Sequence, residues 1–258
     1  GIAFGRKVTW WKHADILARY FERIQAILQS GPTVCDVLVY TGEEIPRSLE
    51  YAYGIEHPAE LIPPGYAFDT CDREALLDWV APKDGRLLVN GDHEYRMLIL
   101  PPSPRMSLDL LERIAEIVEA GVPVFGPQPA QTWGISGQTD ESKLRALAGQ
   151  LWDTSKRRHV FAGGDASSFI RATVSPDFTC EGLPADEVCF QHRRSAGGDA
   201  YFVANLLEEK RDATLTFRQE RGTPCISDPD TDEESTAAHF AQANGCKRVS
   251  LPLEPLQA

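Results

Sequence analysis

The sequence predicts an α/β layered domain built on a parallel sheet with flanking helices, followed by a small antiparallel β region. Two observations carry this. From Tyr95 to Phe125 the pattern runs strand, loop, helix, tight turn, strand. Past Pro176 the helical period disappears and short alternating runs separated by turn residues take over. The first pattern is that of a crossover unit, whose strands are parallel. The second is that of hairpins.

Within the crossover unit, Met97 to Leu100 is a short apolar run, as expected of a strand buried on both faces. From Ser107 the period becomes helical. Leu110, Leu111, Ile114, Ile117 and Val118 fall on one face, and Asp109, Glu112, Arg113, Glu116 and Glu119 on the other. Ser107 is placed to cap the first turn. Met106 and Leu111 are spaced as a hydrophobic staple, and Gly121 can take the left-handed conformation that ends a helix. Val122 to Phe125 begins the next strand.

The chain before this unit opens with a helix over Trp10–Ser30, whose apolar stripe is Leu17, Tyr20, Phe21, Ile24, Ile27 and Leu28, and which Gly31-Pro32 stops. Such a stripe on the first element must pack on something. Thr33 to Tyr40 is the first strand of the α/β domain, and its C-terminal loop carries Glu43 and Glu44. A long Pro- and Tyr-rich connection reaches Tyr66; loops of that length inside a domain usually serve function or cover a surface. Asp69 or Thr70 is placed to cap a short helix carrying Ala75, Leu76, Trp79 and Val80. Asp84-Gly85 makes a turn, Arg86 to Val89 a strand, and Asn90-Gly91 a hairpin. After Phe125 comes a Gly/Pro/Gln-rich loop to Gly137, then a helix with Leu144, Leu147, Ala148 and Leu151, a strand over His159–Ala162 and a helix over Asp165–Ala172. The β region holds strands at Val188–His192, Ala200–Asn205, Ala213–Arg218 and Arg248–Leu253. The expected domains are therefore 1–31, 32–175 and 176–258.

Composition bounds the function. The chain has 258 residues, 42% of them hydrophobic, a formal net charge of -12 and a pI near 5.0. That balance argues against nucleic acid, whose phosphates call for basic patches. No apolar run approaches the ~20 residues of a membrane helix. Gly1 stands where Met would, so the start reads as processed, trimmed or internal, with no signal peptide. The six cysteines form no CxxC pair, which argues against zinc knuckles and redox motifs. Cys35 and Cys71 read as buried thiols; a Cys180–Cys189 bridge has nothing to support it.

In doubly wound sheets, ligands bind beyond the carboxyl ends of the strands. Glu43 and Glu44, after the first strand, would repel the phosphate of a flavin mononucleotide. Leu100 is followed by Pro101-Pro102-Ser103 where a phospho-receiver would need an Asp, and no cysteine occupies the strand-to-helix elbow of an amidotransferase. Gly163-Gly164-Asp165 offers a weak anion cradle, whose ordinary reading is a plain strand-to-helix turn. Asp228, Asp230 and Asp232 imitate the opening of a calcium loop, but Glu233 and His239 break the pattern, leaving a solvated acidic loop as the better reading. His192-Arg193-Arg194 is placed to grip a carboxylate or to end an exposed strand. Glu43 and Glu44 have the chemistry of acid/base carboxylates, or of plain solvated ones. Trp10, Trp11 and Tyr66 have faces suited to pyranose C–H groups, or to packing.

TWWKHADILARYFERIQAILQSG, CDVLVYTGEE, PPGYAFDTCDREAL, DGRLLVNGDHEYRMLILPP, LLERIAEIVEAGVPVFGPQP and HRRSAGGDAYFVANL follow one another in an order that resembles the C-terminal half of α-L-rhamnosidase-like enzymes of glycoside hydrolase family 106. The middle domain also resembles the amidotransferase-like, flavodoxin-type domain that follows the barrel in family 42 β-galactosidases. The resemblance implies a flavodoxin-like (class I glutamine amidotransferase-like) sheet and a (β/α)8 catalytic barrel upstream. Hydrolysis there would be calcium-assisted and inverting, run by two carboxylic acids on the barrel. Those acids match no position here, so no catalytic residue, metal ligand or cofactor is expected in this chain. The 1–31 helix would be the end of the barrel. The implied partners are carbohydrate and either that barrel or further copies of the chain, in a periplasmic or extracellular setting. The expected sugar-binding residues are Trp10, Trp11, Glu43, Glu44 and Tyr66, as one rim facing the barrel. The other readings are a stand-alone interaction or oligomerisation domain and an independent small-ligand binder using the acidic loop.

Overall fold

The computed structural model describes all residues except 1–4, 47, 134–137, 154, 156–158, 220, 238–239 and 257–258, and the side chains of 138–139. His239 and the end of the Gly/Pro/Gln-rich loop therefore lie outside the described residues. The chain divides into two units, one formed by Val34–Asp177 and the other by Gly1–Thr33 with Phe178–Ala258. The N-terminal helix and the C-terminal β region, read separately from the sequence, thus share one unit.

Residues 34–177 are built on a parallel sheet of β1 (Val37–Tyr40), β2 (Phe68–Cys71), β3 (Met97–Ile99), β4 (Val124–Phe125) and β5 (Val160–Phe161). Their spatial order is β2-β1-β3-β4-β5, every pair parallel. The apolar runs are explained by burial on both faces. Leu38, Tyr40, Leu98 and Val124 point to one core, shared with Leu110, Leu111, Ile114, Ile117 and Val118 of the helix Leu108–Glu119 and with Leu144, Ala148 and Leu151 of the helix Gln138–Leu151. Val37, Val39, Met97 and Ile99 point the other way, to Leu49, Phe169 and Ile170 of the helices Leu49–Tyr53 and Ala166–Thr173. Adjacent side chains alternate between faces, so a strand of four apolar residues feeds two cores.

β2 was not expected. Phe68-Asp69-Thr70-Cys71 has no apolar run, yet it pairs with β1. Asp69 accepts a hydrogen bond from the Tyr95 hydroxyl at 2.9 Å, and the helix Arg73–Asp78 is capped by Asp72, whose carboxylate accepts from Ala75 N at 2.9 Å. Val80, expected on that helix, opens a three-stranded antiparallel excursion of Val80–Lys83, Arg86–Val89 and His93–Tyr95. Its two turns use Asp84-Gly85 and Asn90-Gly91, all four at positive φ, the requirement of a tight hairpin turn.

In the other unit, Phe178–Glu181, Arg211–Phe217, Cys246–Leu253 and Phe240–Ala243 form an antiparallel sheet. Val188–Ser195 pairs with Gly198–Asn205, and Cys225–Asp228 with Glu233–Thr236. A 3-10 turn at Trp11–His13 leads into the helix Ala14–Leu28. Gly31, at φ 152, places its Cα against the Arg194 carbonyl, where a Cβ would sit 2.1 Å from the oxygen. Arg193 Nη1 donates to the Gly31 carbonyl at 3.2 Å. No described helix is long and apolar enough to cross a membrane.

Candidate functional site

The carboxyl edge of the parallel sheet is where the chain order reverses, between β1 and β3. Ligand crevices of doubly wound sheets form at such a point. Here it holds a cavity of ≈ 200 Å³ lined by the loops after β1 and β3, by Tyr51, and by Pro127 and Trp133 after β4. Tyr53 spans the switch point. Its hydroxyl lies 2.9 Å from the Tyr40 carbonyl and 3.0 Å from the Ile99 carbonyl, tying the ends of both strands. Gly126, at φ 153, brings the end of β4 against Leu100; a Cβ there would meet the Leu100 Cβ at 2.6 Å.

Glu43 and Glu44 both line this cavity but do different work. Glu43 is half-buried, and Glu44 is exposed. Glu43 Oε2 accepts from Ser107 N at 2.7 Å, and its Oε1 lies 3.2 Å from Arg73 Nε. This carboxylate replaces the side-chain cap expected of Ser107, whose hydroxyl makes no capping bond. It meets the N-terminus of the helix Leu108–Glu119, where negative charge is favoured. Arg73 also bonds Asp109. Burial alone would raise the Asp109 carboxyl; the bonds from Arg73 and Leu110 N carry it below its usual range. Opposite, the Arg105 guanidinium lies 5.3 Å from the centroid of the Trp133 ring, and its Nε donates to Gln131 Oε1 at 3.3 Å.

The five expected sugar-binding residues do not form one rim. Tyr66 precedes β2, and β2 runs parallel to β1, so Tyr66 lies at the amino edge of the sheet while Glu43 and Glu44 follow its carboxyl edge. Its ring is buried in the core beside Val37 and Ile170, and its hydroxyl donates to the Val174 carbonyl at 2.8 Å. The long loop is explained by this packing of Leu61, Ile62 and Tyr66 over one sheet face. Trp10 and Trp11 belong to the other unit and are 37% and 39% exposed. Tyr51, Arg105 and Trp133 were missed; the signal was an aromatic or basic residue in the connections that leave the carboxyl edge, Tyr51 on a short helix and the other two on loops.

The remaining motifs have structural partners. Asp165 caps its own helix, its carboxylate accepting from Ser168 N and Ser168 Oγ at 2.8 Å each, so a negative charge already fills the Gly163-Gly164 turn. His192 is buried; its Nε2 lies 2.8 Å from Asp199 Oδ1, and its ring stacks on Tyr201 at 3.9 Å. Arg194 Nε donates to the same oxygen at 2.8 Å, and Gln219 bonds the other. Burial would raise the Asp199 carboxyl, but Arg194 and His192 hold it below its usual range. The Asp228–Asp232 loop is a hairpin turn held by Arg23, which donates to the Pro229 and Asp230 carbonyls at 2.8 and 3.0 Å and pairs with Asp232 at 3.3 Å. Among the described residues no group of three or more His, Cys, Asp or Glu side chains could hold a metal ion. All six cysteines are free, so Cys180 and Cys189 are not bridged.

Comparison with known proteins finds relatives over nearly the whole chain. The family model for glycoside hydrolase family 106, alpha-L-rhamnosidase, matches residues 1–241. A protein of Formosa agariphila named "Putative beta-glucuronidase" is 27% identical over 256 residues, which cover 98% of this chain and 21% of that one. The structure of a rhamnosidase from Novosphingobium sp. PP1Y superimposes with a TM-score of 0.89 at 29% identity, over 100% of this chain and 25% of that one. The GH42 beta-galactosidase Gan42B of G. stearothermophilus, solved as a catalytic mutant, matches in fold alone, with a TM-score of 0.53 at 10% identity over 98% of this chain and 43% of that one. This chain thus spans between a fifth and a half of the length of these relatives. With the family match running almost end to end, the chain belongs to glycoside hydrolase family 106, the alpha-L-rhamnosidases.

Proposed function

We propose that this chain is the non-catalytic C-terminal portion of a carbohydrate-active glycoside hydrolase resembling α-L-rhamnosidases, supporting a catalytic barrel and contributing to the surroundings of its sugar. The observation that carries the reading is the rhamnosidase superposition, in which the whole of this chain answers to a quarter of the larger one. The N-terminal helix supports it. Ile16, Leu17 and Phe21 are 60%, 36% and 51% exposed, and Trp10 and Trp11 stand exposed just before them. An apolar stripe of that kind marks an interaction surface, and the barrel is the occupant this reading gives it. The strand order β2-β1-β3-β4-β5 supports a flavodoxin-type, amidotransferase-like sheet. The loops of such a sheet lack the nucleophilic cysteine here, which suits a scaffold.

Trp10, Trp11 and Glu44 keep the exposure that contact with barrel or sugar requires, whereas Tyr66 and Glu43 serve the fold. The test is hydrolysis of an aryl α-L-rhamnoside by the purified chain. A barrel site draws its residues from several strand ends, so no turnover above buffer is expected. Turnover that a point mutation within the chain abolishes would refute the reading. A stand-alone interaction or oligomerisation domain is the second reading, favoured by the same exposed stripe. It predicts self-association of the purified chain that Phe21→Ser abolishes.

A further inference from the structure

We infer that the switch-point cavity of the parallel sheet is a binding site for a single neutral sugar ring, with Glu44 accepting its hydroxyl hydrogens and Trp133 and Tyr51 giving it apolar faces. The choice of a sugar rests on the proposed function; the existence of the site rests on the cavity alone. Three strand-end loops build it, and its volume of ≈ 200 Å³ falls below the roughly 300–1,000 Å³ of sites for drug-sized ligands. That size suits one ring rather than an oligosaccharide.

The walls select the chemistry. Glu43 is neutralised by Arg73, and the Arg105 guanidinium lies over Trp133, so the carboxylate free to face a ligand is that of the exposed Glu44. A phosphate or a uronate carboxylate entering there would meet like charge. Glu43 is committed to Ser107 N and Arg73, which holds the loop in place and leaves the exposed Glu44 as the acceptor for ligand hydroxyls. Arg105 over Trp133 fixes the indole at the mouth. Aromatic rings with an apolar body and acceptors beside them match the alternation of C–H faces and hydroxyls on a pyranose. The rim residues Pro101, Pro102 and Pro104 have fixed φ, so the loop loses little freedom when a ligand binds.

The experiment is a ligand titration of the 258-residue chain by saturation-transfer NMR, with L-rhamnose and D-glucuronate as probes. Saturable binding of L-rhamnose is expected, with D-glucuronate at least about ten-fold weaker. Trp133→Ala should weaken L-rhamnose about ten-fold and Glu44→Gln about five-fold. Trp133→Phe should stay within about three-fold, because it keeps a ring at the mouth. Trp79→Ala, an exposed ring that does not line the cavity, should change nothing. Absence of saturable L-rhamnose binding overturns the site, as does equal binding of both probes or an unchanged affinity in Trp133→Ala. None of these outcomes touches the scaffold reading, which stands or falls on hydrolysis.

Discussion

The two units of this chain bury apolar surface by different means. Residues 34–177 close a core on each face of one sheet, with Leu38, Leu98, Ile114 and Ile117 fully enclosed on one side and Val37, Met97, Ile99 and Ile170 on the other. The unit formed by 1–33 and 178–258 has a small core around Phe178, Leu183, Ala213, Leu215 and Leu253. It leaves Ile16, Leu17 and Phe21 of its only long helix among the described residues exposed. A sheet covered on both faces needs no further partner. A helix with an apolar stripe in water does. The contrast teaches where each unit puts its apolar side chains: one encloses them on both faces of a sheet, and the other leaves part of a helix stripe in solvent, which is the surface the proposed function assigns to a partner.

The largest effects should break the scaffold. Ile114→Ala removes a fully enclosed side chain between helix and sheet and should cost about 3–4 kcal/mol in chemical denaturation. Leu215→Ala, in the smaller core, should cost about 2–3 kcal/mol and should leave the near-ultraviolet signal of the parallel unit intact. If both variants lose both units together, the contrast fails.

Asp199→Asn should cost about 2 kcal/mol near neutral pH, because His192, Arg194 and Gln219 lose a partly buried charged acceptor. The sign with pH follows from the direction of the shift. The Asp199 carboxyl lies below its ordinary value in the folded chain. Its contribution is full above the unfolded value, near 4, and is lost as pH falls through the lower folded value. The gap between wild type and variant should therefore narrow under acid conditions. A gap that widens with acid would contradict this.

Thiol titration sharpens the same contrast. Cys35 and Cys71 are buried in the parallel unit, and burial pushes the Cys35 thiol far up and the Cys71 thiol to about 12. Cys189 and Cys225 are exposed. Disulfide reagents should modify Cys189 and Cys225 at once and reach Cys35 and Cys71 only on unfolding. Phe21→Ser should have the smallest effect on stability, within about 0.5 kcal/mol, since its ring is half exposed.

Much of the scaffold was legible in the sequence, for a physical reason. The helix Leu108–Glu119 and the strands on either side announce themselves because period 3.6 gives way to short apolar runs where burial changes. β2 was not legible: Phe68-Asp69-Thr70-Cys71 is an edge strand whose polar side chains carry no pattern, and pairing with β1 defines it. The strand Glu233–Thr236 is hidden likewise, being exposed throughout. Glu43 and Glu44 were legible as residues beyond a strand end. Tyr51, Arg105 and Trp133 were not, since only the strand order brings the segments that carry them together. Tyr66 misled because a long loop reads the same whether it covers a core or greets a ligand.

Hydrogen exchange by mass spectrometry on the isolated chain tests the contrast between the units most directly. The amides of the helix Leu108–Glu119 and of β3 should be the slowest to exchange. Those of the helix Ala14–Leu28, which leaves Ile16, Leu17 and Phe21 in solvent, should exchange at least ~100-fold faster. Equal protection of the two helices would mean that the N-terminal helix needs no partner, and the account of an interface-bearing unit would be wrong.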